Sequence, residues 1–551
     1  MSTSSTSTLG LTLGFFHHFV ELHGGRYAFQ GLSTKDVCMK FVKPFTASSQ
    51  LSLVDHVLRN DPESDLYVQP ATWFVSHAWN YMFLDVVDAL RDFFDDLGVD
   101  SDSVAVWFCM FNNNQHLVQG QVRFEFWVDS FQRALTSIGN VVMVLSPWYN
   151  PTTLTRAWCV FEIYVAIVTD ARFEVAMAKA QKEAFLDDIK DDSAFYKMLG
   201  TINSEEARTA VPSDRDNIFH ALQQANLFFA DLDRMLFNVL EAWMLRTIQS
   251  QVNVSIGDDK AQWLAAMGAM NIDKRLYDEA KVCFTDAVHL YRQPTGRTDD
   301  PRIWKAMARI GEIHVNTHQP RTVWEPIFQK AMAHQTALLG ESHYDTLTTI
   351  LLLGQAYVVG GDIALGLSIL TKCFQLSDGV YSDERPLILG LMNMIGMAYS
   401  YLNQLHEAHA WRQRCYDRAV RALGKTNPLA CFSAFNLCTS QLKLGEYIPA
   451  TLLMQDVYES RRRKHGATHD DTWFAYIRLG HLYVFQGKYD TASRILYESD
   501  DARSILSSTT QLQCRLGLGM LYLSNGEFES AEQHLSSVHQ EYKLMLSATH
   551  P

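Results

Sequence analysis

A chain of 551 residues is too long for one ordinary hydrophobic core, so two domains, or one domain and a repeat array, are expected. Hydrophobic content of 47% and charged content of 20% mark a folded globular protein, and a formal charge of −14 argues against nucleic acid or an anionic membrane as the main partner. The 9 cysteines are scattered without a C-x-x-C pair or zinc spacing, which predicts no metal site and reduced thiols in a cytoplasmic setting.

No apolar run reaches the roughly 18–20 residues that cross a bilayer. The first residues carry no basic region, so no signal peptide is expected. Residues 1 to about 9 are rich in Ser and Thr and are expected to be disordered. Residues 1–65 as a whole read as an extension packed on the next domain, with short helices at Thr34–Phe41 and Leu51–Arg59. From 66 to 225 strands alternate with helices. Apolar, β-branched or aromatic runs predict strands at Thr72–Ser76, Val104–Cys109, Val141–Leu145 and Phe173–Ala178. Helical spacing predicts helices at Met82–Leu97, Phe126–Ile138 and from about Arg156 to Val168. The alternation implies an α/β domain, a parallel sheet covered on both faces.

Such sheets bind ligands beyond the carboxyl ends of their strands. After the first strand come Ser76, His77 and Trp79; after the second, Asn112 to His116; after the third, Ser146, Pro147 and Trp148. Taken singly each cluster is ordinary loop chemistry, whereas together they outline a cleft at one sheet edge. The next helix is apolar nearly all round, and between Arg156 and Asp170 its one charge is Glu162. A carboxylate there must be paired, hydrogen-bonded, protonated or open to a cleft. Glu162 is therefore either an active-site acid or a structural partner for Arg156 or a backbone donor.

The order strand, Ser146-Pro147-Trp148-Tyr149, short loop, then Arg156-Ala157-Trp158-Cys159-Val160-Phe161-Glu162 resembles the Toll/interleukin-1-receptor (TIR) domain, in its plant-type W-C-x-x-E pattern. Phe74-Val75-Ser76-His77 resembles the strand that opens such domains. The resemblance covers about residues 70–180 and implies a doubly wound, flavodoxin-like fold. In TIR domains that hydrolyse NAD the glutamate of this helix is catalytic, which implies that role for Glu162. It also implies a nucleotide site formed by Ser76, His77, Trp79, Ser146, Trp148 and Trp158. Asn112 to Gln119 has no match in the family.

Asp214–Ala225 and Leu227–Val252 read as helices, and residues 226–259 as a linking helix too short in heptads for a coiled coil. Residues 260–551 are a repeat. Gly268, Gly311, Gly354, Gly396, Cys438, Gly480 and Gly519 recur at 39 to 43 residues, each followed 12 residues later by Ala280, Val323, Gly366, Ala408, Ala450, Ala492 or Ala531. Small residues at both places let two antiparallel helices approach closely. The pattern resembles the tetratricopeptide repeat, whose own period is about 34 residues. Its longer period and the Gly340, Gly424 and Gly466 linkers resemble the kinesin-light-chain variety. About seven hairpins should stack into an all-α solenoid with a concave groove. Leu351, Gln355, Asn393, Met397, Phe435 and Thr439 are the candidate groove residues for a protein or peptide ligand. A long N-terminal heptad region is missing, so no motor subunit is inferred.

Two motifs read as decoys. Gly424-Lys425-Thr426 lacks the partner glycine and preceding strand of a phosphate loop. Arg461 to Lys464 is a basic run at a helix C-terminus, where cations offset the dipole.

Two functions stay open. One is a signalling adaptor, with the array capturing a partner and the TIR-like domain self-associating or recruiting. The other is an NAD glycohydrolase regulated by the array, with Glu162 stabilising an oxocarbenium-like state and NAD as substrate. Neither requires a cofactor.

Overall fold

The computed structural model describes residues 8–117, 124–190, 198, 202–209, 212–224, 227, 229–293, 299–383, 385–425 and 427–549. The chain divides once, into Met1–Arg246 and Thr247–Pro551. The expected linking segment, residues 226–259, contains that division. The division falls inside the helix Phe229–Val254. The disorder expected for residues 1 to about 9 lies, up to residue 7, outside the described residues.

The first unit is built on β1 (Leu9–Thr12), β2 (Val68–Pro70), β3 (Trp73–Ser76), β4 (Ala105–Phe108), β5 (Asn140–Val144) and β6 (Arg172–Ala176), in the order β2-β1-β4-β3-β5-β6. β4, β3, β5 and β6 are parallel, as the apolar runs predict. Every residue of β3 and β4 is buried, because helices cover both faces. On one face Val75, Val106 and Phe108 join a core with Phe16, Phe83 and Phe94. On the other, Phe74 stacks on Trp107 at 4.5 Å and meets the edge of Phe131, from the helix Phe124–Ile138.

The all-parallel expectation needs one correction. β1 pairs antiparallel with both β2 and β4, so the sheet is mixed. The stretch expected as an extension supplies that strand and shares the sheet's core through Leu11, Phe16 and Phe19. Asn112 fixes the junction: its Oδ1 accepts from Phe108 N at 2.9 Å and its Nδ2 donates to the Leu9 carbonyl at 2.8 Å.

The second unit is all helical. Its fourteen described helices after Val254 pair in sequence as seven hairpins, from Gly257–Asp273 with Tyr277–Arg292 to Ser508–Asn525 with Phe528–Thr549. Each marker residue lies on a first helix. At Gly354 an added Cβ would sit 2.7 Å from Leu370 on the second helix, and at Gly268 2.8 Å from Phe284. Close approach therefore explains the glycines. The companion small residues Ala280, Ala408, Ala450, Ala492 and Ala531 are buried. Val323 is the exception: it is 36% exposed, and its neighbour Trp324 takes the inward place. Hairpin 2 has one extra residue between Gly311 and Phe328, which shifts the second helix by one position.

Both decoys are structural. Gly424 ends a helix at φ 82, and Lys425 pairs with Asp456 at 2.7 Å; Thr426 lies outside the described residues. Arg461 donates to the Asp471 carbonyl at 3.1 Å and lies 4.9 Å from the Phe435 ring centroid.

Candidate functional site

In sequence order the parallel strands are arranged second, first, third, fourth. The order therefore reverses at β3 and β5, the switch point where sheets of this kind bind ligands. β3 ends on Ser76, and the helix Ala157–Val168 carries Glu162 against it. Ser76 Oγ donates to Glu162 Oε2 at 2.5 Å. Glu162 is 5% exposed, and burial pushes its carboxyl up to about 8, against the Ser76 hydrogen bond and the positive charge of Arg156. The acid is therefore neutral at pH 7. Among the described residues no ion pair joins it to Arg156, which acts on it through its field.

The surrounding groups are neutral as well. His77 stacks on Phe108 at 4.3 Å, and neither ring nitrogen has a hydrogen-bond partner. Burial, aided by the Arg156 charge, lowers its pKa to about 3. Cys159 Sγ donates to the His77 carbonyl at 3.5 Å, and Trp79 Nε1 donates to Cys109 Sγ at 3.3 Å. Burial first, then the Glu162 charge, raises both thiols. Ser76, His77, Trp79, Cys109, Cys159 and Glu162 thus form one connected, largely buried cluster.

Tyr81 crosses the switch point and was not singled out by sequence. Its hydroxyl accepts from Ser146 N at 3.3 Å and Thr153 N at 3.2 Å, and lies 3.3 Å from Thr153 Oγ1. The signal that could have found it is a tyrosine two residues past Trp79, at the mouth of the strand.

Other expected site residues are placed elsewhere. Trp148 N donates to Gln181 Oε1 at 3.1 Å, and its ring meets the edge of Phe185, which stacks on Trp243. It is a packing residue for the helix Lys179–Asp188. Trp158 is half-buried against Phe131 at 5.3 Å. The Asn112–His116 cluster is consumed locally: Gln115 Nε2 donates to the Cys109, Met110 and Asn113 carbonyls, and His116 Nε2 lies 2.9 Å from Thr46 Oγ1.

In the array, Leu351, Gln355, Met397, Phe435 and Thr439 are partly exposed on the first helices of hairpins 3, 4 and 5. Asn393 is only 5% exposed, because it is spent between helices. Its Nδ2 donates to Ser433 Oγ at 3.2 Å and its Oδ1 accepts from Asn436 at 3.1 Å. It is a seam residue between neighbouring first helices, not an open groove residue. Among the described residues no helix is long and apolar enough to cross a membrane.

Residues 388–429 match the tetratricopeptide repeat family model. No curated protein matches the chain. Among solved structures, the chain is similar to the nearly identical TPR-like repeats of a Podosopora anserina protein named for kinesin light chain, at 16% identity and TM-score 0.33 over 37% of this chain and 97% of that one. It is also similar to a Rap protein complexed with Competence and Sporulation Factor, at 11% identity and TM-score 0.42 over 72% and 98% of the two chains. A third is the Rap conjugation gene regulator of plasmid pLS20 in complex with the Phr* peptide, at 13% identity and TM-score 0.40 over 66% and 97%. The matched segment spans hairpin 4 and enters hairpin 5, so the second unit is an all-helical solenoid carrying a tetratricopeptide repeat.

Proposed function

We propose that this protein is an adaptor in which the hairpin array binds a protein or peptide partner and the sheet unit, TIR-like in its W-C-x-x-E helix, self-associates or recruits another domain. One observation carries the reading. Gln355, Met397 and Thr439 stay partly exposed on three successive first helices, while the seams between those helices are closed by bonds such as Asn393 to Asn436. Stacked hairpins of this kind present an extended surface to a ligand. Combined alanine substitution of Gln355, Met397 and Thr439 should abolish partner binding and leave the melting temperature unchanged. Partner retention by that variant would contradict the reading.

A second reading, an NAD glycohydrolase with Glu162 as its carboxylate, is supported by the Ser76–Glu162 pair at the carboxyl end of β3. NAD would be the substrate. An oxocarbenium-like state is stabilised by an anion, whereas this carboxyl is neutral at pH 7 as packed. Turnover would therefore require opening of the buried cluster, for instance on clustering of the sheet unit. Measuring NAD consumption by the concentrated or tethered protein tests it, with Glu162→Gln as control.

A further inference from the structure

Across the array, many arginines are matched to carboxylates. Arg302 pairs with Asp300 and Asp258, Arg321 with Glu325, Arg418 with Asp378 and Asp383, and Arg515 with Glu541. Several cations of hairpins 4 to 6 lie outside this pattern, and three of them stand close to the inner faces of the hairpins. Among the described residues Arg412, Lys443 and Arg478 make no ion pair. Arg412 is the most unusual. It is 5% exposed, and its Nε and Nη1 are buried with no hydrogen-bond partner. A buried, uncompensated cation is costly, so a site that keeps one is built for something.

The position itself is informative. In five other hairpins the marker glycine is covered by an apolar side chain of the second helix: Phe284, Phe328, Leu370, Leu496 and Leu535. In hairpin 4 the covering residue is Arg412, whose Cγ lies 2.9 Å and Nε 3.6 Å from where a Cβ on Gly396 would be. Ser400 lies one helical turn beyond Gly396 on the same face. Its Oγ accepts from Lys443 Nζ at 3.0 Å. Two cations from two different helices thus converge on one turn of Pro386–Tyr401. Partial burial, then the charges of Arg412 and Arg478, lower the Lys443 pKa. Besides Lys443, the titratable groups that interact electrostatically with the two guanidinium groups are Tyr401, Cys438, His481 and Tyr542, none of them a carboxylate.

We propose that Arg412 and Lys443 form an anion site inside the array that takes the phosphoryl group of a phosphate monoester. Arg412 offers two unused donors and Lys443 keeps two more after its bond to Ser400. The two positive charges exceed the single charge of a carboxylate. They match a dianion with three acceptor oxygens. Lys443 is exposed and Arg412 buried, so the site reaches from the surface into the interior. The site goes beyond the groove reading, because it would select a phosphorylated ligand over an unmodified one.

The test is titration calorimetry on the full chain at constant ionic strength, with O-phosphoserine, inorganic phosphate and glutamate as separate probes. The expected result is one saturable site for a phosphate probe, at least tenfold tighter than for glutamate, and weakened at least tenfold by Arg412→Leu. Binding of phosphoserine alone assigns the ligand to a phosphorylated chain, and comparable binding of inorganic phosphate assigns it to a free phosphate. Leu stands at the equivalent place in hairpins 3, 6 and 7, so Arg412→Leu should fold. Should it not, Lys443→Gln at the surface gives the same tenfold weakening. No saturable phosphate binding, equal binding of glutamate, or affinity unchanged in the folded variant would overturn the proposal.

Discussion

Ser76 and Glu162 meet at 2.5 Å across 86 positions of sequence, one at the end of the first parallel strand and the other in the middle of an apolar helix. The serine hydroxyl is the donor, so the pair joins strand to helix whether the acid is neutral or charged. The state of the acid controls pH dependence. Its folded pKa of about 8 lies above the ordinary 4.5, so the stability it contributes is complete below about pH 4.5 and is lost as pH rises to about 8. Glu162→Gln mimics the neutral acid. Urea unfolding should show the variant within about 1 kcal/mol of wild type near pH 5. It should become the more stable of the two, by on the order of a few kcal/mol, at pH 8. A variant that is several kcal/mol less stable at both pH values would mean a missing partner charge.

Removing the serine hydroxyl acts in the opposite sense. Ser76→Ala deletes the bond that favours the charged acid and leaves a buried oxygen without its donor. Unfolding should show a loss of roughly 1–3 kcal/mol. The loss of stability with rising pH still begins near pH 4.5 but should continue to a higher pH than in wild type, because Glu162 then holds its proton more tightly.

His77 governs the acid side. Its folded pKa of about 3 lies below the ordinary 6.5, so its contribution is complete above about pH 6.5 and is lost as pH falls toward 3. Its ring already stacks on Phe108, and both of its nitrogens lack partners. His77→Phe keeps the stack and removes the orphaned nitrogens. Circular dichroism should show acid unfolding at lower pH than in wild type.

Gly354 tests why the repeat marker is small. A Cβ there would press on Leu370 Cγ and Cδ2 at 2.7 Å. Gly354→Ala should destabilise the array by about 1–3 kcal/mol through overpacking. An unchanged melting curve would show that the hairpin opens freely.

The two units should separate at one place. The helix Phe229–Val254 ends two residues before Gly257–Asp273 begins, and Val254 and Ile256 are 72% and 85% exposed. Limited proteolysis should cut there first and release a folded C-terminal fragment. Rapid digestion of that fragment to small peptides would contradict an independently folded array.

The sequence made the solenoid legible because seven near-copies of one packing contact leave a period of small residues. Apolar runs of four or five residues likewise mark β3 to β6, which lie in a sheet covered on both faces. β1 and β2 were hidden, since four-residue and three-residue strands carry no period of their own and exist through pairing with each other and with β4. Ser76 and Glu162 could be placed together by topology, whereas Trp148 could not be told from a site residue. Its burial depends on Phe185 and Trp243, distant in sequence. Asn393 was misjudged for a similar reason. A polar residue on a first helix looks like a groove residue until its bonds to Ser433 and Asn436 are seen.

The central claim is that partners are held on the first helices of the array. The most direct measurement is site-specific photocrosslinking from Gln355, Met397 and Thr439 in turn, with Leu452, 61% exposed on a second helix, as control. The account predicts that one and the same partner is captured from all three first-helix positions and not from Leu452. Capture from Leu452 alone, or a partner held only by residues of the sheet unit, would contradict it.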